Sequence, residues 1–182
     1  MDQWDDGEES EEETDLPERT AVILFADIVA STALMKRMGD VAFGAGVGEL
    51  DTALRSIIGE FGGSPGEGKV HGHGFIAVFT SARQAIDAAL KCGLAGNFAG
   101  LPLLLGVHAG DVIREGDNFY GGAVDIAALI SAESEAGEVL VSDAVRSLAG
   151  TSAGVAFEDL GEHDLKEIER PWRLYLVREA VE

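Results

Sequence analysis

Four residues of this 182-residue chain have types and positions suited to cation chemistry. Asp27 closes the apolar run TAVILFADI and is followed by IVAST, a small-residue segment that leads into a helix. A carboxylate at a strand end, beside free backbone amides, can hold a divalent cation and the oxygens of an anion. The same residue can equally cap a turn. Lys69 stands in the strand-like stretch GKVHGHGFIAVF, where its stem packs and its ammonium reaches either a ligand edge or solvent. His71 and His73 are two apart, so in an unbroken strand they share a face. With Asp27 they would form a two-histidine, one-carboxylate site for a transition metal. Otherwise they hydrogen-bond to backbone or water.

The elements that must position these residues follow from the pattern. Thr20–Ile28 is rich in β-branched residues and predicts a buried central strand. Ser31 to Phe61 contains no proline, and Leu50, Leu54, Ile57 and Ile58 fall at helical spacing. One or two helices are therefore expected, stopped by Gly62 and Gly63. GKVHGHGFIAVF reads as two short strands around the Gly72–Gly74 turn. SARQAIDAALKC reads as a helix capped by Ser81, and LPLLLGVHAGDVI as a strand pair or one long bent strand. YGGAVDIAALISA is a helix opening at a glycine pair, GEVLVSD a strand entering a helix capped at Ser142, and GVAFEDLG and PWRLYLV two last strands. This order predicts an α+β fold, the split β-α-β arrangement of ferredoxin-like domains. It implies a mainly antiparallel sheet with flanking helices on one face and a small C-terminal α/β extension. The hairpin argues against a doubly wound parallel sheet.

Composition narrows the function classes. Residues 1–18 hold ten acids and no base, which predicts a disordered acidic tail ahead of a single domain over 19–182. The rest carries 23 acids against 13 bases, with no basic stripe to exchange for phosphate counterions, so nucleic acid is not an expected partner. No apolar run approaches the roughly 18–20 residues that cross a bilayer, so no membrane segment is expected. The single cysteine, Cys92, excludes an internal disulfide and suits a reducing, cytoplasmic setting, where it reads as a small apolar helix residue.

Five segments taken together carry a resemblance: LFADIVASTALMKRMGD, GKVHGHGFIAVF, LLLGVHAGDVIREGDNFYGGAVDIAALIS, GEVLVSDAV and DLGEHDLKEIERPWRLYLV. In this order they resemble the class III nucleotidyl (adenylyl/guanylyl) cyclase catalytic domain, from about Arg19 to about Arg178. The resemblance implies a head-to-tail dimer with sites at the interface. There, two aspartates hold two divalent ions, and the ions grip a triphosphate and activate the ribose 3′-hydroxyl. The opposite protomer supplies base-selecting residues, a ribose-orienting asparagine and a transition-state arginine. Asp27 matches the first metal aspartate and Lys69 the adenine-reading lysine.

The remaining positions depart from the pattern. His73 stands at the second metal aspartate, Asn118 at the second base-reading residue, Asp125 at the ribose-orienting asparagine and Leu129 at the arginine. His108 and His163 fall at structural positions. Imidazole for carboxylate removes a charge from a site that prefers hard oxygen ligands. An arginine finger contributes about 10³–10⁵ in rate, and leucine donates nothing. The expectation is a degenerate, inactive or weakly active cyclase homology domain. It would act in regulation through a homodimer, or a heterodimer with a complementary cyclase chain, with Mg²⁺ or Mn²⁺ present only if ATP or another nucleotide is bound. Arg55 and Arg114 are cations that could reach the site from elsewhere. The alternatives are an active adenylyl cyclase with a remodelled metal site, and a small-ligand or metal-sensing module.

Overall fold

The structure, a computed structural model, describes residues 18–66, 74–150 and 154–179. The acidic tail predicted for 1–18 therefore lies, up to residue 17, outside the described residues, as do Lys69, His71 and His73.

The central strand is β1 (Glu18–Ile28), and its sequence is apolar at consecutive positions because both faces are covered. Val22, Leu24, Ala26 and Ile28 enter one core with the helices α2 (Asp40–Glu60) and α3 (Ala82–Phe98). Ala21, Ile23 and Phe25 enter a second core on the other face. The period of two along a strand produces this division. Before α2 comes α1 (Ser31–Met38), and Gly39 at φ 86° turns the chain between them. Ser81 caps α3, its Oγ accepting from the Gln84 N–H at 3.2 Å.

The other strands are β2 (Ser64–Pro65), β3 (Phe75–Phe79), β4 (Leu103–Glu115), β5 (Asn118–Tyr120), β6 (Val139–Ser142), β7 (Val155–His163) and β8 (Trp172–Glu179). They form one sheet in the order β2-β3-β1-β4-β6-β8-β7, with β5 paired to β4. Every pairing is antiparallel except β4 with β6. The segment β2-β3-β1-β4 is the ferredoxin-like order expected from the sequence, α+β with a mainly antiparallel sheet. β6, α5 (Asp143–Ala149), β7 and β8 form the C-terminal extension.

One open reading is resolved and two details differ from expectation. LPLLLGVHAGDVI gives one long strand, β4, the second of its two readings. The strand facing β3 is Ser64–Pro65, upstream of GKVH, with Ser64 opposite Val78 and Pro65 opposite Ala77. The helices also do not share one face. α4 (Gly122–Ala132) packs on the side of Ile23 and Phe25, while α2, α3 and α5 pack on the opposite side. The physical reason lies in β4, where Gly106 and Gly110 are four apart on one strand face. A Cβ on Gly106 would sit 2.5 Å from the Ala127 carbonyl oxygen and the Ser131 nitrogen, and one on Gly110 would sit 2.8 Å from the Ala123 Cβ. Two missing side chains let a helix lie directly on the sheet. No helix among the described residues is long and apolar enough to cross a membrane.

Candidate active-site cleft

Asp27 occupies the next-to-last position of β1, opposite Leu104 of β4. Its Oδ1 accepts from the Ile28 N–H at 2.9 Å, and the Val29 N–H donates to the Pro102 carbonyl at 2.8 Å. The chain leaving the sheet is thus pinned, and the carboxylate is half-buried at a fixed place. Three residues after Asp27, Ala30 adopts φ 48° and ψ 45° to start α1 without a side-chain cap.

α4 opens at Gly121, whose carbonyl accepts from Val124 and Asp125 at 3.1 and 3.2 Å. Asp125 and Leu129 are four residues apart, so they lie on one helix face, one turn from each other. The glycine seat on β4 directs that face toward the end of β1. A cleft of about 590 Å³ results, lined by Asp27, Phe25 and Leu104 from the sheet and by Asp125 and Leu129 from α4.

The third wall comes from the β7–β8 connection. Leu165 is buried and its carbonyl accepts from the Ile168 N–H at 3.1 Å, which presents Lys166 and Glu167 at the cleft. Glu167 holds a left-handed backbone, φ 66°. The cleft therefore meets three carboxylates, Asp27, Asp125 and Glu167, and one ammonium, Lys166. Leu129 is not simply exposed there. With Ile168 and Trp172 it packs on an apolar cluster of Ile130, Leu140, Leu165, Leu174 and Leu176.

This arrangement has counterparts. The fold superposes on the adenylyl cyclase CyaB from P. aeruginosa with a TM-score of 0.80 at 19% identity, covering 91% of this chain and 96% of that one. It also matches an adenylate/guanylate cyclase/hydrolase from Silicibacter pomeroyi at TM-score 0.72 and 28% identity, over 88% of this chain and 97% of that one. The fold is that of adenylyl and guanylyl cyclase domains.

In sequence, the chain is 31% identical over 168 residues to a Rhizobium meliloti protein named "Putative adenylate cyclase 3", a match that covers 86% of this chain and 28% of that protein. The chain is a class III nucleotidyl cyclase homology domain. Three mycobacterial proteins match over 88% of the chain and 56% of their own lengths, so the chain spans well under two thirds of the curated relatives it matches. No protein-family model matches the chain.

Asp27, Asp125 and Leu129 line one cleft of a single protomer, whereas the resemblance draws Asp27 and the Asp125–Leu129 pair of any one site from opposite protomers; Asn118 does not line this cleft. Asn118 sits in β5 opposite Glu115, its Oδ1 buried and without a partner among the described residues. Arg55 and Arg114 are also elsewhere. Arg55 pairs with Asp51 at 2.9 Å and donates to the Gly66 carbonyl, while Arg114 donates to the Gly116 carbonyl at 3.0 Å. Lys166 and Glu167 are charged cleft residues that sequence reasoning missed, Lys166 being the cationic one. Its signal was a lone basic residue in an acidic loop, GEHDLKEIE, between two strands.

The metal fit is partial. Asp27 supplies a hard oxygen at a fixed strand end, as a divalent ion requires. Among the described residues, however, no three His, Cys, Asp or Glu groups converge on a possible metal position. A divalent ion at Asp27 would need further oxygens from residues 67–73, from a nucleotide or from a second chain.

The two structural histidines are accounted for. His108 is buried, its Nδ1 paired with the Ser142 Oγ at 2.8 Å and its ring edge-on to Trp172 at 5.2 Å. Burial pushes its pKa down to about 4. His163 lies 3.2 Å from the Leu160 carbonyl and 3.6 Å from a Glu133 oxygen.

Proposed function

We propose that this domain is a degenerate class III cyclase that regulates through dimerisation and nucleotide binding, with turnover absent or very weak. The observation that carries the reading is Leu129. At the position where the resemblance expects a cationic donor, the cleft has a leucine packed into an apolar cluster. Phosphoryl transfer depends on positioning and charge neutralisation, and an arginine in this role contributes about 10³–10⁵ in rate. Asp125 adds a carboxylate to the same cleft, which opposes a polyanionic substrate. His73 replaces a further carboxylate ligand.

In this reading Asp27 would hold Mg²⁺ or Mn²⁺ carried by the nucleotide, which would supply charge neutralisation for the triphosphate. Lys69 and Asn118 contact the base, and Asp125 meets the ribose. Lys166, which lines the cleft, pairs with phosphate oxygens. The partner is a second copy of this chain or a complementary cyclase chain, in a cytoplasmic setting. Titrating the purified chain with ATP and GTP in Mg²⁺ and in Mn²⁺, then analysing the same samples for product, tests the proposal. Saturable binding without cyclic nucleotide is expected.

One observation favours a second reading, an active adenylyl cyclase with a remodelled site. Asp27 is retained and Lys166 brings a cation into the same cleft. Turnover that disappears in Asp27→Ala would establish it.

A further inference from the structure

We propose that a second cavity, at the opposite end of β1 from Asp27, binds a small organic anion: a carboxylate or phosphate monoester carried on an apolar body. The cavity has a volume of about 310 Å³, at the lower end of small-molecule sites. Arg19 and Arg114 line it, and no acidic residue does so among the described residues. That composition departs from the chain as a whole, which has 33 acids and 13 bases.

Strand register explains how the pocket is assembled. Arg19 lies opposite Val112, and Arg114 opposite Phe119. With a period of two, Arg19, Ala21, Val112 and Arg114 project to the same side of the sheet. Ala21, Val112 and Phe119 are buried and form an apolar floor, joined by Val78. Ser64, opposite Val78, and Thr80 add hydroxyls at the edge.

The two guanidiniums are placed for an anion. Arg19 is exposed, and its guanidinium makes no hydrogen bond or ion pair among the described residues. Arg114 rests 5.8 Å above the Phe119 ring, with Nε donating to the Gly116 carbonyl and a long 3.9 Å contact to Asp117. The nearby Asp111 is on the opposite sheet face and accepts from the Thr20 hydroxyl at 2.9 Å. An apolar floor below two guanidiniums matches a ligand that is greasy at one end and anionic at the other. Eight residues of strand separate Arg19 from Asp27, roughly 26 Å at the rise of a β-strand, so this pocket is distinct from the nucleotide cleft.

Calorimetric titration of the full chain with 4-phenylbutyrate and with phenyl phosphate tests the proposal. Saturable one-to-one binding of at least one probe is expected. Arg19→Gln and Arg114→Gln should each weaken it at least tenfold, the loss typical of a charge-assisted hydrogen bond. Asp27→Ala should leave it unchanged. Both arginines are exposed, so the variants should melt with the parent, which a thermal scan verifies. No saturable binding of either probe, binding indifferent to both arginine substitutions, or binding lost in Asp27→Ala would overturn the proposal.

Discussion

Gly106 of β4 and Ala127 of α4 touch through backbone: a Cβ on the glycine would lie 2.5 Å from the alanine's carbonyl oxygen. This contact seats α4 on the sheet and so fixes where Asp125 and Leu129 meet Asp27. Gly106→Ala is expected to destabilise the fold by about 1–3 kcal/mol or more, because backbone on both sides resists displacement. Urea denaturation measures it. The same substitution on Gly48 of α2, which has open space around it, should stabilise by several tenths of a kcal/mol.

His108 gives the domain a defined acid response. Its pKa is about 4 when folded, against an ordinary 6.5. Between these values the unfolded chain takes up a proton that the folded chain refuses. Stability from this group is therefore present above pH ~6.5, falls as pH drops toward 4, and levels off below. The loss is on the order of 3 kcal/mol. Denaturation midpoints of the parent and of His108→Gln, measured between pH 7 and 4, should converge as pH falls. A parallel offset at every pH would rule out the histidine as the source.

Ser142 serves two partners, the His108 ring and the Val145 N–H at the start of α5. Ser142→Ala leaves both without it and should cost about 1–2 kcal/mol. Thermal denaturation checks the value, and the far-UV spectrum should be preserved.

Ala30 and Glu167 hold left-handed backbones, φ 48° and 66°, the non-glycine positions that do so among the described residues. A side chain in that region costs about 1–2 kcal/mol, part of which glycine returns as unfolded-state entropy. Ala30→Gly and Glu167→Gly are each expected to stabilise by about 0.5–1 kcal/mol. Differential scanning calorimetry should show higher midpoints. Glu167 lines the candidate cleft and Ala30 follows Asp27 by three residues, so nucleotide affinity should be recorded on the same samples.

Much of this organisation is legible in the residues. The unbroken apolar run of β1 signals a strand covered on both faces, and Ser81 and Ser142 mark helix starts that the structure retains. The side of the sheet taken by α4 was not legible, because GAVDIAALISA is apolar around most of its circumference and offers no single buried stripe. The informative signal was in the partner strand, where Gly106 and Gly110 share a face. β2 was not legible because Ser64–Pro65 is too short to show alternation and contains a proline; the strand expected at GKVH lies outside the described residues. In the site, Asp27 was evident from its place after TAVILFA. Lys166 was hidden in a polar connection whose position depends on the packing of Leu165, a long-range contact that local pattern does not encode.

Leu129 offers the sharpest substitution. Leu129→Arg alone should cost about 1 kcal/mol of packing and produce no measurable cyclic nucleotide, since Asp125 and His73 remain. Adding Asp125→Asn and His73→Asp should raise turnover by 10² or more over the single variant. An unchanged rate in the triple variant would place the defect outside these three positions.

The most direct measurement is a single-turnover reaction with the domain in excess over labelled ATP, then GTP, in Mn²⁺, run beside Asp27→Ala. The account predicts nucleotide bound and recovered intact, with no cyclic product above the variant's background. Cyclic AMP or cyclic GMP formed within seconds by the parent, with pyrophosphate in equal amount and neither formed by Asp27→Ala, would contradict it.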